Sequence, residues 1–129
     1  MRVTRFLAAV VLGTSLVGGE AAAAPLEPLV IGWERFFTVS WETWDSRDGR
    51  YVGGYVRNES GHTATGMRLL VEGLDDSRRV TTQQVDWLGS TVPPFGRAYF
   101  KVPARSRASE YRVRVFAYDV LQSARVEAP

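Results

Sequence analysis

The sequence predicts an all-β protein, a small antiparallel sandwich or barrel of six or seven strands. Three observations carry that expectation. From Phe36 onward apolar residues recur with a period of two; no stretch shows a helical period; and clusters of Gly, Pro, Asp and Ser interrupt the pattern at short intervals. Periodicity of two puts alternate side chains on opposite faces, so each run is read as a strand with one face inward.

The N-terminus follows a different logic. "MRVTR" supplies Arg2 and Arg5, "FLAAVVLGTSLVG" is uncharged and apolar, and "GEAAAAP" is rich in small residues. This three-part pattern predicts a secretory signal peptide over residues 1–23. Its apolar part, Phe6 to Gly18, is shorter than the ~20 residues a membrane-spanning helix needs. Cleavage is placed after Ala23, because a cut after Ala24 would leave Pro25, with its fixed φ and missing N–H, next to the scissile bond. The expectation is an exported chain, periplasmic or secreted, with no stable membrane insertion. Residues 24–35 form an extended N-terminal segment and residues 36–127 one domain, which is long enough to bury a core without disulfide staples.

The elements follow in order. "FFTVSWETW" sets Phe37, Val39 and Trp41 inward, making Trp41 a core residue, and leaves Trp44 out of phase and a candidate for exposure. "DSRDG" (Asp45 to Gly49) is a turn. "RYVGGYVRN" sends Val52, Gly54 and Val56 inward and Tyr51, Tyr55 and Arg57 to solvent. "ESGHTATG" is a loop in which the Asn58 and Ser60 side chains bond nearby backbone and Gly61 takes positive φ. "MRLLVEGL" faces Met67, Leu69 and Val71 inward, and "DDSRR" turns the chain. "VTTQQVDWL" is more polar, as an edge strand would be. "GSTVPPFG" (Gly89 to Gly96) is a loop, since its prolines cannot donate to a ladder. "RAYFKVP" alternates on Ala98, Phe100 and Val102, and "EYRVRVFAYDV" on Tyr111, Val113, Val115 and Ala117. A short "ARVEA" is a candidate last strand. Tyr111 opens the penultimate strand, where immunoglobulin-like folds place a tyrosine whose hydroxyl ties down the preceding connection.

Four motifs taken together resemble the FxLYD-type domain, a family of small immunoglobulin-like sandwiches in exported bacterial and archaeal proteins. They are Val52-x-Gly54-x-Val56-x-Asn58 with Ser60, Met67-x-Leu69-x-Val71, Pro94-x-Gly96-x-Ala98-x-Phe100-x-Val102, and Tyr111-x-Val113-x-Val115 ending in Tyr118-Asp119. The resemblance spans about Phe36 to Asp119. It implies an immunoglobulin-like antiparallel β-sandwich with an envelope or extracellular interaction role, and it transfers no catalytic residue. The tryptophan content and the Gly53-Gly54 pair depart from the family pattern.

Composition excludes several chemistries. The chain has no cysteine, which removes thiol nucleophiles, disulfides and thiolate metal sites, and a single histidine, His62, which is read as a solvated loop residue. Asn58-Glu59-Ser60 fits a glycosylation sequon, but a turn is the simpler reading. Asp75-Asp76 lacks the spaced pattern of a calcium loop and is read as an ordinary turn. No phosphate loop or nucleophile elbow occurs. No catalytic, cofactor-binding or metal-ligating residue is assigned, and the protein is expected not to be an enzyme and to need no cofactor. Without Arg2, Arg5 and Glu20 the net charge is near +1, so nothing calls for nucleic acid or an anionic membrane.

Binding remains. Immunoglobulin-like connectivity pairs the third strand with the sixth, which would place Arg68, Leu70, Arg112, Arg114, Phe116 and Tyr118 on one outer face. Arginine with aromatics is the composition of protein–protein contact patches, so the expected partner is an envelope or extracellular protein. The alternative is a carbohydrate-binding module that uses Trp44 and Trp87 as a stacking platform.

Overall fold

The computed structural model describes residues 24–121. A 3₁₀ turn, Trp33–Arg35, precedes six strands: β1 (Phe37–Ser46), β2 (Gly49–Asn58), β3 (Thr63–Leu74), β4 (Val80–Trp87), β5 (Arg97–Pro103) and β6 (Glu110–Leu121). They form two three-stranded antiparallel sheets, ordered β1-β2-β5 and β4-β3-β6. This is the crossing pattern of an immunoglobulin-like sandwich: β2 and β3 are consecutive but lie in different sheets, and β5 returns to pair with β2. The segment "ARVEA" and the signal-peptide residues lie outside the described residues. Among the described residues no helix is long and apolar enough to cross a membrane.

The core forms where the inward phases meet. Phe37, Val52, Val56, Ala98, Phe100 and Val102 come from the first sheet, and Ala64, Met67, Leu69, Val71, Tyr111, Val113 and Val115 from the second; Trp33, Leu88 and Val92 join them from outside the strands. Burying side chains of this size contributes roughly 1.5–3 kcal/mol each before chain entropy is set against it. Polar β4 is an edge strand, as its composition predicts, and its inward phase has a use. Gln84 Nε2 donates to the Pro103 carbonyl (2.8 Å), Gln84 Oε1 accepts from the Arg105 amide (3.1 Å), and Arg105 Nη2 reaches Asp86 (2.8 Å). These bonds hold the β5–β6 connection against the sheet. The Tyr111 hydroxyl donates to the Ser106 carbonyl (2.6 Å), so the anticipated tyrosine tie is in place.

The stretch after β2 is a turn built on a buried asparagine. Asn58 donates through Nδ2 to the carbonyls of His62 (2.7 Å) and Val92 (3.2 Å), while its Oδ1 accepts from the Ser60 amide and hydroxyl. Its side chain is fully enclosed, and His62 is exposed. Gly61 does not take the positive φ expected of it; the positive-φ glycines are Gly32, Gly49, Gly66 and Gly89. The Asn58 side chain closes the loop and removes the need for a left-handed residue. Asp75 is likewise spent on a turn, accepting through Oδ1 from the Ser77 and Arg79 amides.

Two inward assignments need correction. Trp41 has the inward phase, but β1 is a sheet edge and leaves it 38% exposed. Its indole Nε1 donates to the Tyr111 carbonyl (3.0 Å), which ties the two sheets together at their common edge. At Gly54 an added Cβ would run into the Ser40 carbonyl of β1 rather than into the core. The glycine is required by close approach of two backbones.

Candidate functional site

The outer face of β1-β2-β5 is a grid fixed by strand register. Side chains opposite one another across a ladder share a face, so rows can be read across the three strands. One row is Ser40, Tyr55, Tyr99; the next is Glu42, Gly53, Lys101; the next is Trp44, Tyr51, Pro103. Two aromatic rows thus flank a row whose central position has no side chain. The result is an open cleft of about 490 Å³ lined by Ser40, Glu42, Trp44, Gly53, Tyr55 and Tyr99, with Trp41 and Gly54 contributing at its edge.

Each wall is braced. Trp44 and Tyr51 form an offset stack, with ring centroids 6.1 Å apart and planes inclined by 25°. The Tyr51 hydroxyl donates to Asp48 (2.9 Å), which raises the phenol pKa; bonds from Ser46 and then Tyr51 lower that of the Asp48 carboxylate, and the Lys101 ammonium lies 4.4 Å from the Tyr51 ring centre. On the other wall Tyr55 and Tyr99 meet edge to face at 5.4 Å, and the Arg97 guanidinium sits 4.2 Å from the Tyr55 ring centre. Gly53 explains how the indole fits: a Cβ there would stand 2.7 Å from Trp44 Cη2 and 2.9 Å from the Phe100 carbonyl oxygen. The glycine lets the Trp44 ring lie down over the sheet.

Ring faces held in place beside a few polar groups form the usual chemistry of a small-ligand site. The lining offers one carboxylate, Glu42, whereas glycoside hydrolysis ordinarily uses a pair flanking the bond. Among the described residues no group of three or more His, Asp or Glu side chains is arranged to hold a metal ion.

The residues expected to form a protein-binding face lie elsewhere and are not an open surface. Arg68, Leu70, Arg112 and Arg114 belong to β3 and β6, which pair as anticipated. Leu70 is fully buried, and Arg112 and Arg114 converge on Glu72, itself 1% exposed. The N-terminal segment crosses this face. Leu26 exchanges two hydrogen bonds with the Gln83 side chain on β4, Glu27 pairs with Arg114, and the Leu29 amide donates to the Phe116 carbonyl on the far edge of β6. Phe116 is half-buried. Register shifts around Arg68 break the simple alternation, and Tyr118 packs edge to face on Phe37 of β1 (4.7 Å), where burial pushes its hydroxyl pKa up. Tyr118 therefore serves the core and not the outer face.

The two tryptophans of the alternative platform do not share a site. Trp44 is half-buried in the cleft, while Trp87, 67% exposed, ends β4 on the opposite sheet with the Arg68 guanidinium 5.0 Å from its ring centre. Beside Trp87 lies a smaller hollow of about 220 Å³ edged by Thr65, Ser90 and Thr91. Sequence reasoning missed Tyr99, Glu42 and Ser40 as companions of Trp44. Their outward phase was visible, but the pairing of β5 with β2 that assembles them was not. No family model, no curated protein and no solved structure matches the chain.

Proposed function

We propose that the protein is an exported, non-catalytic carbohydrate-binding module whose ligand lies in the cleft on the outer face of β1-β2-β5. The observation that carries this reading is the pair of braced aromatic rows, Trp44/Tyr51 and Tyr55/Tyr99, on either side of the Gly53 row, with the Trp44 ring lying over Gly53. Sugar rings present apolar C–H faces to aromatic rings and hydroxyls to polar rims, here Ser40 and Glu42. A single lining carboxylate favours holding a glycan over cleaving it. The N-terminal pattern of charge, apolar run and small residues supports an export role.

The test is calorimetric titration of the mature chain against a panel of soluble oligosaccharides, with Trp44→Ala and Trp87→Ala as variants. Losing one stacked ring typically costs about 0.5–1.5 kcal/mol beyond the contact area it buries, so Trp44→Ala is expected to weaken binding at least about tenfold. Trp87→Ala is expected to bind normally. Binding lost on Trp87→Ala and kept on Trp44→Ala would move the site to the other sheet.

A second reading rests on the same face. Tyr99 (52% exposed), Tyr55, Arg97 and Lys101 have the composition of a protein contact patch. An envelope protein would then be the ligand, and the sugar panel would be silent while an envelope extract yields a partner that Trp44→Ala releases.

A further inference from the structure

Charge in the cleft is unevenly spent. Glu42 from β1 lines the cleft, and Lys101 and Arg97 from β5 stand on the same outer face nearby. Glu42 and Lys101 stand on the same row, either side of Gly53, and could have neutralised each other. They do not. Lys101 is drawn onto the Tyr51 ring and Arg97 onto Tyr55, while among the described residues Glu42 has no ion-pair partner. Trp44 lies two residues along the strand from Glu42 on the same face, their Cα atoms roughly 7 Å apart, and its ring lies over Gly53, the partner of Glu42 across the ladder. Among the described residues no cation covers that indole. An unpaired carboxylate beside an uncovered indole suits a cation. The carboxylate offers an ion pair and charge-assisted hydrogen bonds, and the ring face adds cation–π attraction that is strongest for tryptophan.

We infer that the cleft takes a glycan bearing a free ammonium group, an amino sugar whose nitrogen is not acylated, with the ammonium between Glu42 and the Trp44 ring. This rests on the cleft being the ligand site and names the chemistry of what fills it. A neutral sugar could donate hydroxyl hydrogen bonds to Glu42, but it would leave the carboxylate's charge uncompensated once the ligand excluded water. Nonspecific attraction does not provide the same preference, because the chain without residues 1–23 has a net charge near +1 and offers a polycation no net attraction.

The experiment compares two probes of equal length, a glucosamine hexamer and its fully N-acetylated counterpart, by calorimetry near about pH 5.5. That pH keeps the sugar amine protonated. The expected result is a preference of about tenfold or more for the free amine, which shrinks with added salt. Glu42→Gln should erase the preference, and an unchanged melting curve would show that the fold is intact. Equal affinity for the two probes, or a preference that persists in Glu42→Gln, overturns the inference. If neither hexamer binds while neutral glycans do, the amino-sugar inference falls and the carbohydrate reading stands; if no glycan binds, both fall.

Discussion

Converting Glu72 to Gln should cost about 3 kcal/mol at neutral pH, although the change keeps shape and volume. Its carboxylate accepts four hydrogen bonds. Arg112 Nε (2.8 Å) and Arg114 Nε (3.0 Å) reach Oε1; Arg114 Nη2 (3.0 Å) and Gln83 Nε2 (2.8 Å) reach Oε2. All four partners are donors. An amide has only one acceptor end, so its NH₂ would confront two donors whichever way it is turned. Two bonds are lost outright and the others lose their charge assistance. Removing one member of a buried pair costs about 3–5 kcal/mol. The lower end applies here because the Arg112 and Arg114 side chains, 37% and 21% exposed, can recover some water.

The same group gives a pH signature. Burial pushes the Glu72 pKa up, but the hydrogen bonds from Arg114, Arg112 and Gln83 outweigh burial and hold it below its ordinary value of 4.5. With the folded pKa below the unfolded one, the stabilisation is complete above the unfolded value. It is lost as pH falls through the folded value. Urea melts of the wild type and Glu72→Gln at neutral pH and across the acid range below pH 4.5 provide the test. The variant should start lower and lose less on acidification. A loss under about 1 kcal/mol at neutral pH, or an acid dependence equal to that of the wild type, would refute the argument.

Two stability predictions follow from the strand and turn geometry. Gly54→Ala should destabilise by about 3 kcal/mol or more, because the new methyl meets the Ser40 backbone carbonyl, which cannot swing away as a side chain would; a urea midpoint shifted by less than 1 kcal/mol equivalent would show that β1 can move aside. Asn58→Ala should cost about 2–3 kcal/mol by leaving the Ser60 amide without its acceptor and taking one of two bonds from each of the His62 and Val92 carbonyls, which keep the Ser60 hydroxyl and the Ala64 amide, and His62→Ala beside it should stay within about 0.5 kcal/mol, both read from urea melts.

Much of the architecture is local in origin and therefore legible. Alternation locates each described strand, polarity marks β4 as an edge, and Tyr111 announces its bond to the connection that precedes its strand. The failures are non-local. Trp41 obeys its phase but lies on an edge strand, and β1, unlike polar β4, carries no local sign that it is outermost. Arg112 and Arg114 do alternate outward, yet what lies over them is decided by Leu26, Glu27 and Leu29, far away in the chain. One signal was available. Glu72 interrupts the apolar run "LLVEGL" at an outward position beside Leu70, and a carboxylate embedded there needs cationic partners from a neighbouring strand. Arg112 and Arg114 were the obvious suppliers. The cleft was hidden for the same reason as the cover: Trp44 and Gly53 are close in sequence, but Tyr99 joins them only through the β2–β5 ladder.

The two outer faces spend their cations in opposite ways, and that difference bears on where a ligand binds. On β4-β3-β6 the guanidiniums of Arg112 and Arg114 are consumed by a buried carboxylate, and the N-terminal segment is bonded over them. Opening that face to a partner would require breaking the Leu26–Gln83 bonds and the Glu27–Arg114 pair, and rehydrating Leu70. On β1-β2-β5 the cations lie on tyrosine rings, where each contact is worth about 0.5–1 kcal/mol at an exposed site. Nothing need be displaced for a ligand to reach Glu42 and the open part of Trp44. The rings are already braced, so little side-chain freedom is lost on binding, and more of the contact energy appears as affinity. The energetic difference favours the cleft, and the contrast between Trp44→Ala and Trp87→Ala tests it directly.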